Sequence, residues 1–184
     1  MGWIQTYQGR SFEYQTPENI DQIDIYDIAH ALSNICRFGG HCKRFYSVAD
    51  HSIRCADVAK NMGLSKEIQL WCLLHDAAEA YIGDIPTPLK KEVGIVYNMW
   101  DISIITYEDI VLDAIKKKFN LGEMPKEVKE IDEILLWTEV RDLFDNKMKW
   151  REHTLRPLEE IISPRHNAEA ESLFIWRYRS LTDV

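Results

Sequence analysis

His51, the adjacent pair His75-Asp76, and Asp132 are the residues whose types and placement could do chemistry together. The His-Asp pair ends the apolar run Trp71-Cys72-Leu73-Leu74, where the pattern asks for core residues. Burying an unpaired charge is costly, so something must satisfy both side chains. A metal ion would. His51 falls on the apolar face of the preceding helical stretch, and Asp132 lies among Val128, Ile131 and Leu135 on a later one. All four then face inward from three helices, far enough apart in sequence to return to one centre. Imidazole nitrogens with two carboxylates make a mixed N/O set for one divalent transition metal ion, with Mn, Fe, Co, Ni and Zn all open. The two negative charges balance the ion, and water bound to it ionises closer to neutral pH.

The elements that must hold these residues are helical. From Asp24, a good N-cap, Ile25, Ile28, Ala29, Leu32 and Ile35 share one face. Gly39-Gly40 permits a turn, and Ser47 caps a second helix whose inner face is Val48, Cys55, Val58, Ala59 and Met62, ending at Gly63. Ser65 caps a third, with Ile68, Trp71, Cys72 and His75 on one stripe running towards Gly83. Prolines keep the loop from Gly83 to Pro88 from being helical throughout. The spacing predicts a long helix or broken pair over about 89–119, weakest near Gly94. Pro125 opens a helix carrying Val128, Ile131, Asp132, Leu135 and Glu139, and Ser163-Pro164 opens a last one over about 163–181. Residues 3–14 alternate as a hairpin around Gln8-Gly9. The expectation is an all-α helical bundle with a small N-terminal β-hairpin, one domain over 1–184 with its core over about 24–145.

The totals narrow the function. A chain of 184 residues, 46% hydrophobic and 28% charged, can bury a real core and is not a disordered one. A net charge of −8 repels polyanions, which argues against a nucleic-acid polymer as partner but not against a local phosphate pocket. Cys36, Cys42, Cys55 and Cys72 form no C-x-x-C pair, and three fall in helical patterns, so they read as free thiols of a reducing compartment. The stretch Met1-Gly2-Trp3-Ile4-Gln5-Thr6 has no basic or apolar leader character, and no run approaches membrane-spanning length. The expected location is the cytoplasm, with no membrane partner.

The order His51…His75-Asp76…Asp132 resembles the metal motif of the HD-domain phosphohydrolases. The longer string His75-Asp76-Ala77-Ala78-Glu79, then Gly83-Asp84, Pro86-Thr87-Pro88 and Lys90, is similar to the 5′-deoxynucleotidase branch and to related phage deoxynucleotide triphosphohydrolases. This likeness spans about residues 24–145. It implies an HD-domain bundle, a homodimer, and a nucleotide as the small-molecule substrate. It gives Asp76 and Glu79 catalytic work, Glu79 orienting or deprotonating the attacking water and passing a proton to the leaving oxygen. Arg37 followed by an aromatic matches the pocket arginine, whose guanidinium forks onto phosphate, and Phe38 would pack on the sugar. Asp84 either accepts from the sugar 3′-OH, as in the related nucleotidases, or satisfies backbone N–H groups of its loop. Lys90 either reaches a phosphate or lies on a solvated helix start.

Other candidates are weaker. His41, Lys43 and Arg44 add positive charge near Arg37, whereas His30, His153 and His166 lack ligand spacing. The run Trp137-Thr138-Glu139-x-Arg141-Asp142 is expected to support Asp132 by hydrogen bonds. There is no Walker loop, no G-x-S-x-G and no H-E-x-x-H. The leading reading is a 5′-deoxynucleotidase releasing deoxynucleoside and phosphate. A triphosphohydrolase releasing tripolyphosphate follows, then a metal-containing nucleotide sensor without activity. A dinuclear HD oxygenase or cyclic-nucleotide phosphodiesterase would need further inward histidines.

Overall fold

The computed structural model describes residues 2–97, 100–145 and 155–182. The fold is mostly helical with a small N-terminal hairpin, β1 (Trp3–Gln5) and β2 (Ser11–Glu13), paired antiparallel with Ile4 opposite Phe12. A two-stranded hairpin is marginal alone. This one is pinned by Phe12, fully buried and stacked on Tyr81 at 4.3 Å between ring centroids. Burying such a ring contributes about 1.5–3 kcal/mol. The Tyr14 hydroxyl donates to the Tyr81 carbonyl, fixing the strand end against the short helix Glu79–Ile82.

Helix α1 (Ile25–Asn34) begins at Asp24, whose carboxylate accepts from the Tyr26 N–H, and buries Ile28, Ala29 and Leu32. The chain then reverses at Arg37–Gly40, where Phe38 (φ 58°) and Gly39 (φ 60°) are left-handed and a Cys36–Ser47 bridge closes the loop. Helix α2 (Val48–Asn61) starts at Ser47, whose hydroxyl accepts from the Asp50 N–H. It is the central element, packing on α1, α3 (Lys66–Leu74), α7 (Lys126–Leu143) and α8 (Asn167–Thr182). That position explains why His51 is fully buried, and Met62, at its end, is instead 57% exposed.

Three expectations need correction. The third helix does not run unbroken to Gly83. It stops at Leu74, and residues 75–78 form a tightened coil in which Ala77 N–H reaches Leu74 and Glu79 N–H reaches Asp76, three residues back, before α4 (Glu79–Ile82). The span 89–119 is no long helix: after α5 (Thr87–Lys90) comes a second hairpin, β3 (Gly94–Tyr97) and β4 (Trp100–Ser103), and only then α6 (Ile104–Lys118). Ser103 makes the break, its hydroxyl accepting from the Thr106 N–H as N-cap. The last helix starts at Asn167 rather than Ser163, because the preceding strap is tied down elsewhere. Asp142 accepts from the Ile162 N–H, and buried Asp50 accepts from the Arg165 N–H. No helix among the described residues is long and apolar enough to cross a membrane.

Candidate metal centre

Three helices deliver four side chains to one point. His51 comes from the first turn of α2, His75-Asp76 from the coil that follows α3, and Asp132 from α7 one position after buried Ile131. His51 Nε2 lies 3.3 Å from His75 Nε2, 3.2 Å from Asp132 Oδ1 and 3.7 Å from Asp76 Oδ2. His75 Nε2 lies 3.4 Å from Asp76 Oδ2 and 3.9 Å from Asp132 Oδ1. Ligands bound at about 2.0–2.2 Å stand about 3–3.5 Å apart around a tetrahedral or octahedral ion, so these separations fit one shared cation.

The ring protons make the same point. His75 Nδ1 sits 2.8 Å from the Cys72 carbonyl, which can only accept, so Nδ1 carries a proton. His51 Nδ1 sits 2.6 Å from Glu139 Oε1 and donates to that buried carboxylate. In their neutral forms both histidines therefore turn Nε2 lone pairs towards each other and towards two carboxylates. A positive charge must sit between them, either a proton or a metal. Burial works against charging His75, yet Asp76 and Asp132 outweigh it and push the ring up to about 10. For His51, burial and the Arg37 charge oppose protonation, and Cys55, Glu139 and Asp132 overcome them, leaving the ring well above its ordinary value. Burial also opposes the charge on Asp132, but hydrogen bonds with His51 and His75 hold it well below the carboxylate range. The donor set fits a divalent ion.

The surrounding residues form a charge network. Buried Arg37 donates to Asp76 at 3.3 Å and to Glu139 at 3.1 Å, so Glu139 bridges His51 and Arg37. Glu139 thus supports His51 rather than Asp132, while Thr138 and Asp142 bind the strap at Leu158 and Ile162. Asp84 accepts from the Phe38 N–H at 3.0 Å and so steadies the left-handed turn. Phe38 meets Phe144 edge-on at 5.0 Å. Lys90 contacts Glu79 at 3.5 Å and Glu108 on α6 at 2.6 Å, so a phosphate there would have to displace partners already in place. Glu79 is buried, and its Oε2 has no hydrogen-bond partner among the described residues. Burial first, then the charges of Asp76 and Asp84, raise its pKa well above the ordinary carboxylate value.

Residues 48–163 match the HD domain family. The chain belongs to the HD domain family. It is 36% identical over 188 residues to the uncharacterized protein YfdR of Escherichia coli K12, covering 100% of this chain and 98% of that one. It is also 32% identical over 123 residues to an uncharacterized protein of Rhodobacter capsulatus, covering 65% of this chain and 59% of that protein. Neither name carries an activity. HD-domain membership implies metal-dependent phosphohydrolase activity in general, and the HD sequence order here is borne by residues whose donor atoms meet.

Two residues of this HD domain protein escape a sequence reading. Cys55, taken as core, places its sulfur 3.5 Å from His51 Nε2, and the signal available was its place one helical turn after His51. Glu108 has no local signal, because its partner Lys90 belongs to a different element. His30, half-buried, stacks on Tyr7 and faces Glu171, away from the cluster, and His153 lies outside the described residues.

Proposed function

We propose that this HD-domain phosphohydrolase acts on a deoxynucleotide, cleaving the 5′-phosphoester to release deoxynucleoside and phosphate. The observation that carries the reading is the buried, protonation-prone Glu79 beside the His51, His75, Asp76 and Asp132 cluster. His51, His75, Asp76 and Asp132 would hold the ion. A divalent ion supplies Lewis-acid polarisation of a phosphoryl oxygen and makes water acidic enough to attack at neutral pH.

The chain's own groups do the rest. Glu79, kept protonated by burial and by the Asp76 and Asp84 charges, gives a proton to the leaving ribose oxygen. Lys90, anchored by Glu108, holds the Glu79 carboxyl in place. Arg37 orients Asp76, and its Nε–H is buried without a partner among the described residues. Asp84 and Phe38 act as one unit, the carboxylate fixing the turn that presents the ring to the sugar. Four free cysteines support a reducing, cytoplasmic setting.

The charge balance among the described residues favours a monophosphate over a triphosphate. Arg37 and Lys90, the cations there that contact residues of the cluster or Glu79, are each shared between two carboxylates and leave little positive potential for a long polyphosphate. The test is hydrolysis of mono- and triphosphates of both sugars by the chain loaded with Mn²⁺, Co²⁺ or Zn²⁺. Orthophosphate from deoxynucleoside monophosphates supports the proposal, and tripolyphosphate supports the second reading. No product from any nucleotide, with metal bound, defeats both and leaves a non-catalytic sensor.

A further inference from the structure

Around the cluster lies one group with no part in that reaction scheme. Cys55 follows His51 by one turn on α2, is 1% exposed, and places Sγ 3.5 Å from His51 Nε2. This is the lone-pair nitrogen that faces His75, since the His51 Nδ1–H is spent on Glu139. Donor atoms of His51, Cys55 and His75 all lie within 4.8 Å of one another. Helical spacing brings the two side chains together, and the S–H engages the metal-facing nitrogen, which a residue that only filled space would not do. Any small apolar side chain would serve there.

We infer that Cys55 is a further metal ligand, turning the N/O set into one that includes a thiolate. The inference rests on the metal-dependent reading above. Metal binding would replace the S–H bond by a metal–sulfur bond, with the proton released to solvent and no change of oxidation state. The consequence is selectivity. Thiolate is a soft ligand, so the site should favour Zn²⁺ and Co²⁺ over Mn²⁺ by more than imidazole and carboxylate alone would.

The test uses the full chain, stripped with a chelator and titrated with Co²⁺, followed by absorption. The wild type should show visible ligand-field bands together with a near-ultraviolet sulfur-to-cobalt charge-transfer band. In Cys55→Ser and Cys55→Val the charge-transfer band should vanish while the ligand-field bands persist, and Cys72→Ala should keep both. The ratio of Zn²⁺ to Mn²⁺ affinity should fall by about tenfold or more in the Cys55 variants, as expected when a ligand or its close support is lost. Circular dichroism of each variant separates lost ligation from lost fold, and the apolar Val variant covers the case in which Ser disturbs packing. Ligand-field bands without charge transfer in the wild type would overturn the inference and leave the metal reading standing. So would charge transfer that survives both Cys55 variants. No bound cobalt at all would overturn both.

Discussion

Glu139→Gln is the sharpest probe of how the centre is built. Glu139 is fully buried, accepts from His51 Nδ1 at 2.6 Å and from Arg37 Nη2 at 3.1 Å, and burial is outweighed by the charges of Arg37 and His51 so that its pKa is lowered. Glutamine keeps the size but offers one acceptor where two are needed. If its oxygen accepts from His51, its NH₂ is driven against an Arg37 N–H. If it faces Arg37 with its oxygen, its NH₂ donates to His51 Nδ1 and moves the ring proton to Nε2, the nitrogen that should bind metal. Removing one partner of a buried ion pair costs about 3–5 kcal/mol. Arg37 keeps Asp76 at 3.3 Å and glutamine keeps one hydrogen bond, which reduces the expected loss to about 2–3 kcal/mol. Metal affinity should drop about 10–100-fold, the usual effect of losing the group that orients a histidine ligand. Urea unfolding of the chelator-treated protein measures the first, and competition against a chromophoric chelator measures the second. Because the Glu139 pKa lies below its ordinary 4.5, the stability gap between wild type and variant should be full above that pH and close as pH falls through the folded value. A variant as stable as wild type, binding metal within a factor of about two, would refute the tautomer argument.

Other outcomes follow from the same geometry. In the metal-free protein His75 is raised from 6.5 to about 10, so its contribution to stability should be complete below pH 6.5 and lost as pH rises through 10. Urea midpoints across that range should show the loss, and added Zn²⁺ should remove it by taking the proton's place. Glu79→Gln should bind metal normally yet lose about 10²–10⁴-fold in kcat, and the wild-type rate should fall as pH rises past the elevated Glu79 pKa. Normal turnover in that variant would take Glu79 out of the mechanism. Asp142→Ala should cost about 1–3 kcal/mol by stranding the Ile162 N–H and loosening residues 155–162, seen as faster limited proteolysis with metal affinity unchanged.

What was legible in the sequence depended on period. His51, His75 and Asp132 each sit inside an apolar stripe of 3.6-residue spacing, so their inward direction follows from neighbours such as Val48, Trp71 and Leu135. The caps at Asp24, Ser47 and Ser65 were equally readable, because each needs only a side-chain oxygen two or three residues before a backbone N–H. Glu139 is visible as an inward residue two turns beyond Asp132, but its partners come from α2 and the Arg37 turn, and no local pattern specifies a contact between elements. The β3–β4 hairpin is hidden because Ile102, Ile105 and Val111 also satisfy helical spacing. The better clue is the β-branched and aromatic content of Ile95, Val96, Tyr97 and Trp100 around Gly94. Phe38 has no propensity for a left-handed turn at all. Its conformation is held from outside by the Asp84 carboxylate, which is why neither residue's role could be read without the other.

That dependence bears on how the site can work. Arg37 and Lys90 are each bound by two carboxylates before any substrate arrives, and Asp84 is already bonded to backbone. Asp76, Asp84, Asp132 and Glu139 thus gather around these two cations, and Glu79 is kept protonated. Without an ion the protons on His51 and His75 balance the remaining carboxylates, so among the described residues no positive charge is left free to attract a phosphate. A divalent ion would take the place of those two protons and add a Lewis-acid centre for a phosphate oxygen, and it can do so only where His51 and His75 present their free nitrogens. Nucleotide binding, and not turnover alone, should therefore depend on the ion. The clustered carboxylates are best understood as the framework that makes the centre select a cation first and an anionic substrate second.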